Sequence, residues 1–318
     1  MKRWVLVSLL MLVVFTGGCV TLDIGLPSGP LHQRVVFGKK GPKILMLDIS
    51  GTLSTASTKT VLGLGGESQT ARLRSELEMA AKDDEIRSVL LRIDSPGGTV
   101  SASEILYDEL LRYKREHGLP MVAQMMGVAA SGGYYVSMAA DQIRAYPSTI
   151  TGSIGVVMFG LNLSGLMDKL GIQDQTLTTG RFKDAGSPLR PMGAAERAQL
   201  ESVTHDLFLH FLDVVEAGRP KLSRERVEAL ADGRVYSADQ ALKAGLVDAL
   251  GNLPGAVDAA REAAGIEGDV RVVVYRRRGE PSDNLFSARS AVAPPQARSL
   301  MEWERAGFLY LWLPPGRS

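Results

Sequence analysis

Short apolar runs punctuate the chain at intervals. They are Lys43–Ile49, Ser88–Ile93, Met121–Met125, Ile143–Ala145, Ile154–Met158 and Val270–Tyr275, and each reads as a buried strand. Helical patterns lie between them. Residues 69–82 place Leu73, Leu77 and Ala80 on one face, and residues 101–117 place Ala102, Leu106, Leu110 and Tyr113 on another before Gly118 stops the helix. Residues 194–217 form a long amphipathic helix and 164–170 a short one. Ser237 with Gln240 three positions on has the spacing of a capping box. Buried strands alternating with helices predict an α/β fold with mostly parallel pairing.

The ends of the chain read differently. Lys2 and Arg3 precede an apolar run of twelve, Trp4–Phe15, followed by Thr16-Gly17-Gly18-Cys19. A twelve-residue helix covers roughly 18 Å, short of the ~30 Å hydrocarbon core, so residues 1–18 read as a signal peptide rather than a spanning anchor. Residues 19–42 mix glycine, proline and basic residues without periodicity and read as a tether. The folded domain is expected over 43–270. After it come a strand and a tail of unassigned role, 271–318, with Pro281, Pro294 and Pro295 ahead of a small apolar segment, Trp303–Trp312.

Composition narrows the function. Apolar residues are 45% and charged residues 22%, an ordinary globular balance. The net charge is +1 and no basic tract exceeds Arg276–Arg278, so no nucleic-acid partner is expected. Cys19 is the only cysteine, which excludes an intrachain disulfide. The segment around it resembles a bacterial lipoprotein signal, with Thr16 where those signals usually carry leucine. That resemblance implies cleavage before Cys19, lipid on the cysteine, and a chain tethered to a membrane in the bacterial cell envelope.

Two glycine-rich turns follow predicted strands: Asp94-Ser95-Pro96-Gly97-Gly98 and Ala130-Ser131-Gly132-Gly133-Tyr134-Tyr135. Neither has the spacing of a phosphate or dinucleotide loop, and no cofactor is expected. Each alone could be a tight turn. Together they suggest a nucleophile, Ser131, at a strand-to-helix junction, with the amides of Gly98 and Gly132 as donors to a developing oxyanion.

Such a serine needs a base. His32, His117, His205 and His210 lack triad context, and the five-residue spacing of the last two does not suit a shared metal, so no metal site is expected. Lysine remains. A free lysine, pKa about 10.4, is neutral less than about 0.1% of the time at pH 7, and bringing it to about 7 costs roughly 4–5 kcal/mol, within reach of burial. Lys183 lies among small and apolar residues and is one candidate, with Asp184 beside it. The residues alone leave the base open.

Six motifs in order resemble the signal peptide peptidase A family of Ser–Lys proteases in its short form. They are Asp94–Gly98, Ala130–Tyr135, Thr151–Val156, Phe182-Lys183-Asp184 with Ser187-Pro188, Asp232–Tyr236 and Ala244–Asp248. The resemblance implies Ser131 as nucleophile, Lys183 as base, Ser153 near that base, and Gly98 with Gly132 as oxyanion hole. It also implies a ClpP/crotonase-like fold of repeated ββα units, apolar peptide substrates including cleaved signal peptides, and a homo-oligomeric ring in which one subunit's lysine serves its neighbour's serine. Competing readings are a crotonase-type acyl-CoA enzyme, a membrane protease acting on a stomatin-like partner, and a non-enzymatic lipoprotein scaffold.

Overall fold

The computed structural model describes residues 28–57, 67–287 and 307–312. In chain order the strands are β1 (Ser28–Phe37), β2 (Lys43–Ser50), β3 (Ile86–Ser95), β4 (Gly97–Thr99), β5 (Met121–Ala130), β6 (Gln142–Ala145), β7 (Ile150–Gly152), β8 (Val157–Met158), β9 (Val235–Ser237), β10 (Ala249–Leu250), β11 (Arg271–Arg278) and β12 (Phe308–Leu311). The helices are α1 (Gln69–Ala80), α2 (Val100–His117), α3 (Gly132–Ser137), α4 (Ser164–Leu170), α5 (Ala194–Gly218), α6 (Arg224–Leu230), α7 (Ala238–Ala244) and α8 (Leu253–Ala263).

The main sheet runs β1-β11-β2-β3-β5-β6-β10, with β7 also pairing β5 and β9 pairing β7. Its central pairs, β11–β2, β2–β3, β3–β5, β5–β6 and β5–β7, are parallel. Alternate residues along these strands face two separate cores. Leu45, Leu47, Val89, Leu91, Ala123 and Val273 share one core with Leu73, Leu77, Leu106 and Leu110 of α1 and α2. Ile44, Met46, Leu90, Val122, Val272 and Val274 meet Leu253, Ala256, Val257 and Ala260 of α8. Burial on both faces is why these strands read as continuous apolar runs. This is the expected mixed α/β architecture with a mostly parallel central sheet.

Local chemistry sets the helix ends. The hydroxyls of Ser68 and Thr99 accept from the amides of Ala71 and Ala102 at 3.2 Å each. Gly118 ends α2 at φ 63°, a left-handed conformation that costs a β-carbon, and Lys114, Arg115 and His117 sit at the negative end of the dipole. The Ser237–Gln240 capping box is present as read.

Three expectations need correction. Residues 28–37 lie in the reach expected to be a tether, yet they form β1, antiparallel to β11. Register shifts between Ser28 and His32 and between Val35 and Phe37 break the alternation, which is why no period appeared. Residues 271–278, placed outside the core domain, form β11 and insert between β1 and β2. The run Ile154–Met158 pairs only over Val157–Met158, although Ile154 is buried.

Buried charge ties β11 to the sheet centre. Asp48 accepts from Arg92 Nε at 2.7 Å and from Arg276 Nη2 at 2.5 Å. Arg92 reaches on to the carbonyls of Leu285 and Ser287, and Arg276 to that of Pro281, so the network pins residues 281–287 over the sheet.

Candidate active site

β3 and β5 separate toward their carboxyl ends. Ile93 faces Met125 but Ser95 faces Ala129, so β5 carries two extra residues there. The Asp94 carboxylate accepts the amide of Val128 inside this bulge, at 3.0 Å. The bulge delivers Ser131 to the junction of β5 and α3.

Ser131 and Ser153 are the non-glycine residues with positive φ among the described residues, at 53° and 50°. Such angles cost of order 1–3 kcal/mol and persist only where surroundings enforce them. Here β7 does so. Ala130 pairs with Gly152 in a parallel register, the Ser131 amide donates to the Gly152 carbonyl at 2.8 Å, and the Ser153 amide donates to the Arg234 carbonyl at 2.8 Å. Ser131 accepts the first helical bond of α3, from Tyr135 at 2.9 Å, and its side chain does not cap that helix. Both serines are buried.

The second glycine turn lies against the first. Gly97 has φ 98°, and a β-carbon there would fall 2.7 Å from the Gly132 nitrogen. Ser95 holds the turn: its hydroxyl donates to the Gly51 carbonyl at 2.7 Å and accepts the Gly97 amide at 3.1 Å. On one side of β4, Leu53 donates to the Gly97 carbonyl at 2.8 Å and accepts from the Thr99 amide at 3.0 Å. Backbone groups alternate along a strand, so the Gly98 amide points to the opposite side.

That opposite side is occupied by β12. It runs antiparallel to β4, pairing Leu309 with Thr99, Tyr310 with Gly98 and Leu311 with Gly97, and Trp312 donates to the Pro96 carbonyl at 2.8 Å. Its other edge pairs with β8. The tail segment whose place the sequence left open thus lies as an extended strand between β4 and β8, beside the glycine turns. The Tyr310 carbonyl oxygen would be 2.0 Å from a β-carbon on Gly97 and 3.1 Å from one on Gly132. It sits beside the two glycine turns and faces the Gly98 amide.

Lys183 lies exposed in the turn of residues 181–186, and among the described residues no hydrogen bond or ion pair joins it to Ser131 or Ser153. The neighbouring carboxylate is engaged: Asp184 accepts from Arg190 Nε at 2.8 Å, which holds its pKa below the usual carboxylate value. Arg190 also binds Glu196 at 2.7 Å, and Glu196 accepts the Gly186 amide at 2.6 Å. Those two bonds likewise lower the Glu196 pKa, Arg190 first. This clamp fixes the Lys183 turn to the start of α5. The same excursion exposes Leu166, Leu170, Ile172, Leu177 and Phe182.

Cys19 lies outside the described residues. No cluster of histidine, cysteine or carboxylate side chains among the described residues could hold a metal ion, and no helix there is long and apolar enough to cross a membrane. Sequence reading missed the aromatic group of Tyr135, Phe211 and Tyr310. Its one signal was the apolar cluster Phe308–Trp312 at the end of a polar tail.

Residues 113–267 match peptidase family S49, and residues 48–151 match the Clp protease family. A protein named as a signal peptide peptidase SppA in Enterococcus faecium is 33% identical over 245 residues, 77% of this chain and 70% of that protein. A protease of Synechocystis sp. is 34% identical over 227 residues, 71% of this chain and 76% of that one. The chloroplastic serine protease SPPA of Arabidopsis thaliana is 32% identical over 245 residues, 77% of this chain but 34% of the relative. With these likenesses spanning both glycine turns and the Lys183 region, the chain belongs to peptidase family S49 and is a serine peptidase.

Proposed function

We propose that this peptidase is a membrane-tethered endopeptidase that cuts extended apolar segments, including cleaved signal peptides, with Ser131 as nucleophile and Lys183 as base. The observation that carries the reading is the strand laid against the two glycine turns next to Ser131. Phe308-Leu309-Tyr310-Leu311 is apolar, fully extended, and held by backbone ladders on both edges, which is how a cleft binds peptide by strand addition. Its Tyr310 carbonyl lies beside Gly97 and Gly132 and faces the Gly98 amide. The Gly98 and Gly132 amides are proposed as the oxyanion donors, each typically worth about 2.7–4 kcal/mol in a transition state.

The chemistry follows from these positions. A neutral lysine amine takes the Ser131 proton as Oγ attacks the carbonyl carbon, and the two amides receive the oxyanion. The lysine then passes its proton to the leaving amine, and water resolves the acyl-enzyme with the same groups. Ser153, one residue past the Gly152 that anchors Ser131, is proposed to orient that amine. Because Lys183 is exposed and carried by an apolar excursion, it is proposed to serve the Ser131 of a neighbouring subunit in a head-to-tail ring. Support for a tether rests on the Cys19 segment and for signal-peptide substrates on the named relatives.

The test is hydrolysis of an apolar fluorogenic peptide by the full chain and its Ser131→Ala variant. Loss of turnover with an unchanged melting temperature is expected. Near-normal turnover by the folded variant rejects the assignment.

A further inference from the structure

Neither residue of the Gly97–Gly98 pair has a side chain, so nothing in the pair itself fixes the direction of its amides. That direction matters at Gly98, the proposed oxyanion donor. The Gly97 carbonyl and the Gly98 amide belong to one planar trans peptide and point opposite ways. Leu53 donates to that carbonyl at 2.8 Å, which turns the Gly98 N–H away from Leu53 and toward the side where β12 lies. The approach is close: a β-carbon on Gly98 would fall 2.0 Å from the Leu53 carbonyl oxygen. The aim of the donor therefore depends on where residues 51–53 lie.

Ser95 sets that position, and its side chain is fully buried. The hydroxyl donates to the Gly51 carbonyl at 2.7 Å, two residues before Leu53, and accepts the Gly97 amide at 3.1 Å. One oxygen thus joins the segment that aims the peptide to the turn that contains it. The Asp94 carbonyl takes the Gly51 amide at 2.9 Å, so both polar groups of Gly51 are held from the end of β3. Ser95 also abuts the other glycine turn. A β-carbon on Gly133 would stand 2.6 Å from the Ser95 carbonyl oxygen and 3.3 Å from its β-carbon.

We infer that Ser95 is a positioning residue for catalysis, holding the Gly97–Gly98 peptide so that the Gly98 amide faces the developing oxyanion. It acts through that peptide and not on the reacting atoms. The inference rests on the reading of Ser131 as nucleophile and Gly98 as donor. Removing a hydroxyl buried this completely leaves both of its bonds unmade and frees a pair of glycines to rotate. The donor is then withdrawn from the transition state, while the ladder that binds the peptide stays in place. A bond that only stabilised the fold would lower the melting temperature and leave turnover alone.

The experiment uses the full chain with Ser131→Ala, Ser95→Ala, Ser95→Thr or Ser95→Cys, an apolar fluorogenic peptide, and the matching peptide aldehyde and alcohol as inhibitors. The aldehyde adds to the serine and sets an oxygen against the same amides, whereas the alcohol does not. The ratio of their Ki values cancels competition from β12, and kcat is read at saturating peptide for the same reason. Ser95→Ala is expected to lower kcat about tenfold to a hundredfold, short of the ~10²–10³ for deleting a donor outright, and to shrink the advantage of the aldehyde by a similar factor. Ser95→Thr keeps the hydroxyl and should recover most of both. If Ser95→Ala does not fold, Ser95→Cys keeps the volume with a weaker donor and acceptor and carries the same expectation. A folded variant whose kcat stays within about twofold of the parent overturns the positioning role. So does a fall in kcat with the aldehyde advantage intact, or a threonine no better than alanine, and each leaves the nucleophile standing. Hydrolysis that survives Ser131→Ala instead removes the nucleophile reading and this role with it.

Discussion

Ser131 donates its backbone amide to the carbonyl of Gly152 at 2.8 Å, and both residues hold positive φ, 53° and 81°. The bond couples the end of β5 to β7, so the conformation of Ser131 depends on a glycine distant in sequence. A β-carbon at position 152 would fall 2.4 Å from Cδ2 of Tyr236, whose hydroxyl is committed to the Leu230 carbonyl at 2.8 Å. Gly152→Ala should therefore cost about 1–3 kcal/mol in urea unfolding and reduce turnover more than stability. Unchanged turnover in that variant would show that Ser131 does not depend on this bond.

The clamp around Lys183 makes an acid-side prediction. Asp184 and Glu196 have lowered pKa values, each first through a hydrogen bond from Arg190. A carboxylate lowered on folding stabilises the structure above its ordinary pKa, and that contribution is lost as pH falls through the lowered value. Amide protection factors over residues 180–190, corrected for the intrinsic slowing of exchange in acid, should fall below about pH 4, the ordinary carboxylate range. Arg190→Ala should produce the same loss of protection at pH 7 and lower activity, with the melting temperature nearly unchanged. Exchange that is identical in the variant and the parent would discard the clamp.

Mixing subunits tests whether sites are shared. Ser131→Ala and Lys183→Ala chains are each expected to be inactive. If Lys183 serves a neighbour, random co-assembly should restore about a quarter of the sites, from head-to-tail geometry. No recovered activity after verified exchange would place the base within the same subunit.

The buried network predicts a stability cost. Asp48 sits between Arg92 and Arg276, and all three side chains are buried. Asp48→Ala removes the carboxylate shared by Arg92 and Arg276, and breaking such a buried pair typically costs about 3–5 kcal/mol. A loss below about 1 kcal/mol by urea titration would mean that solvent reaches the arginines.

For the tether, Cys19→Ser should abolish lipid attachment and release the exported chain from membranes. Intact mass of the mature amino terminus reads this directly, and an unmodified thiol in the parent refutes the lipid.

The sequence exposed the parallel core because β2, β3, β5 and β11 are buried on both faces and so carry unbroken apolar runs. It exposed Ser131, Gly98 and Gly132 as candidates because glycine-rich turns follow strands there, whereas Ser153 entered only through the family resemblance. It hid β1 because a bulged edge strand loses its period, leaving Leu31 and Val36 buried among exposed neighbours. The aromatic group around Tyr310 was illegible for another reason. Tyr135, Phe211 and Tyr310 come from three distant stretches, and only folding brings their rings together. The exposure of Lys183 is likewise a tertiary fact, since its neighbours in sequence are mostly small or apolar.

The place of β11 has a consequence for the order in which the molecule is completed. Ile44 pairs with Val272, so a strand made near the start of the chain waits for one made near its end. Until residue 278 is available, β2 has an unsatisfied edge on its outer side, and among the described strands β1 has no other partner. A growing chain thus carries an open, apolar template of the kind that recruits foreign strands. Contacts this remote in sequence also slow folding. Arrival of β11 closes both gaps in one step, so the fold is finished from its carboxyl-terminal side.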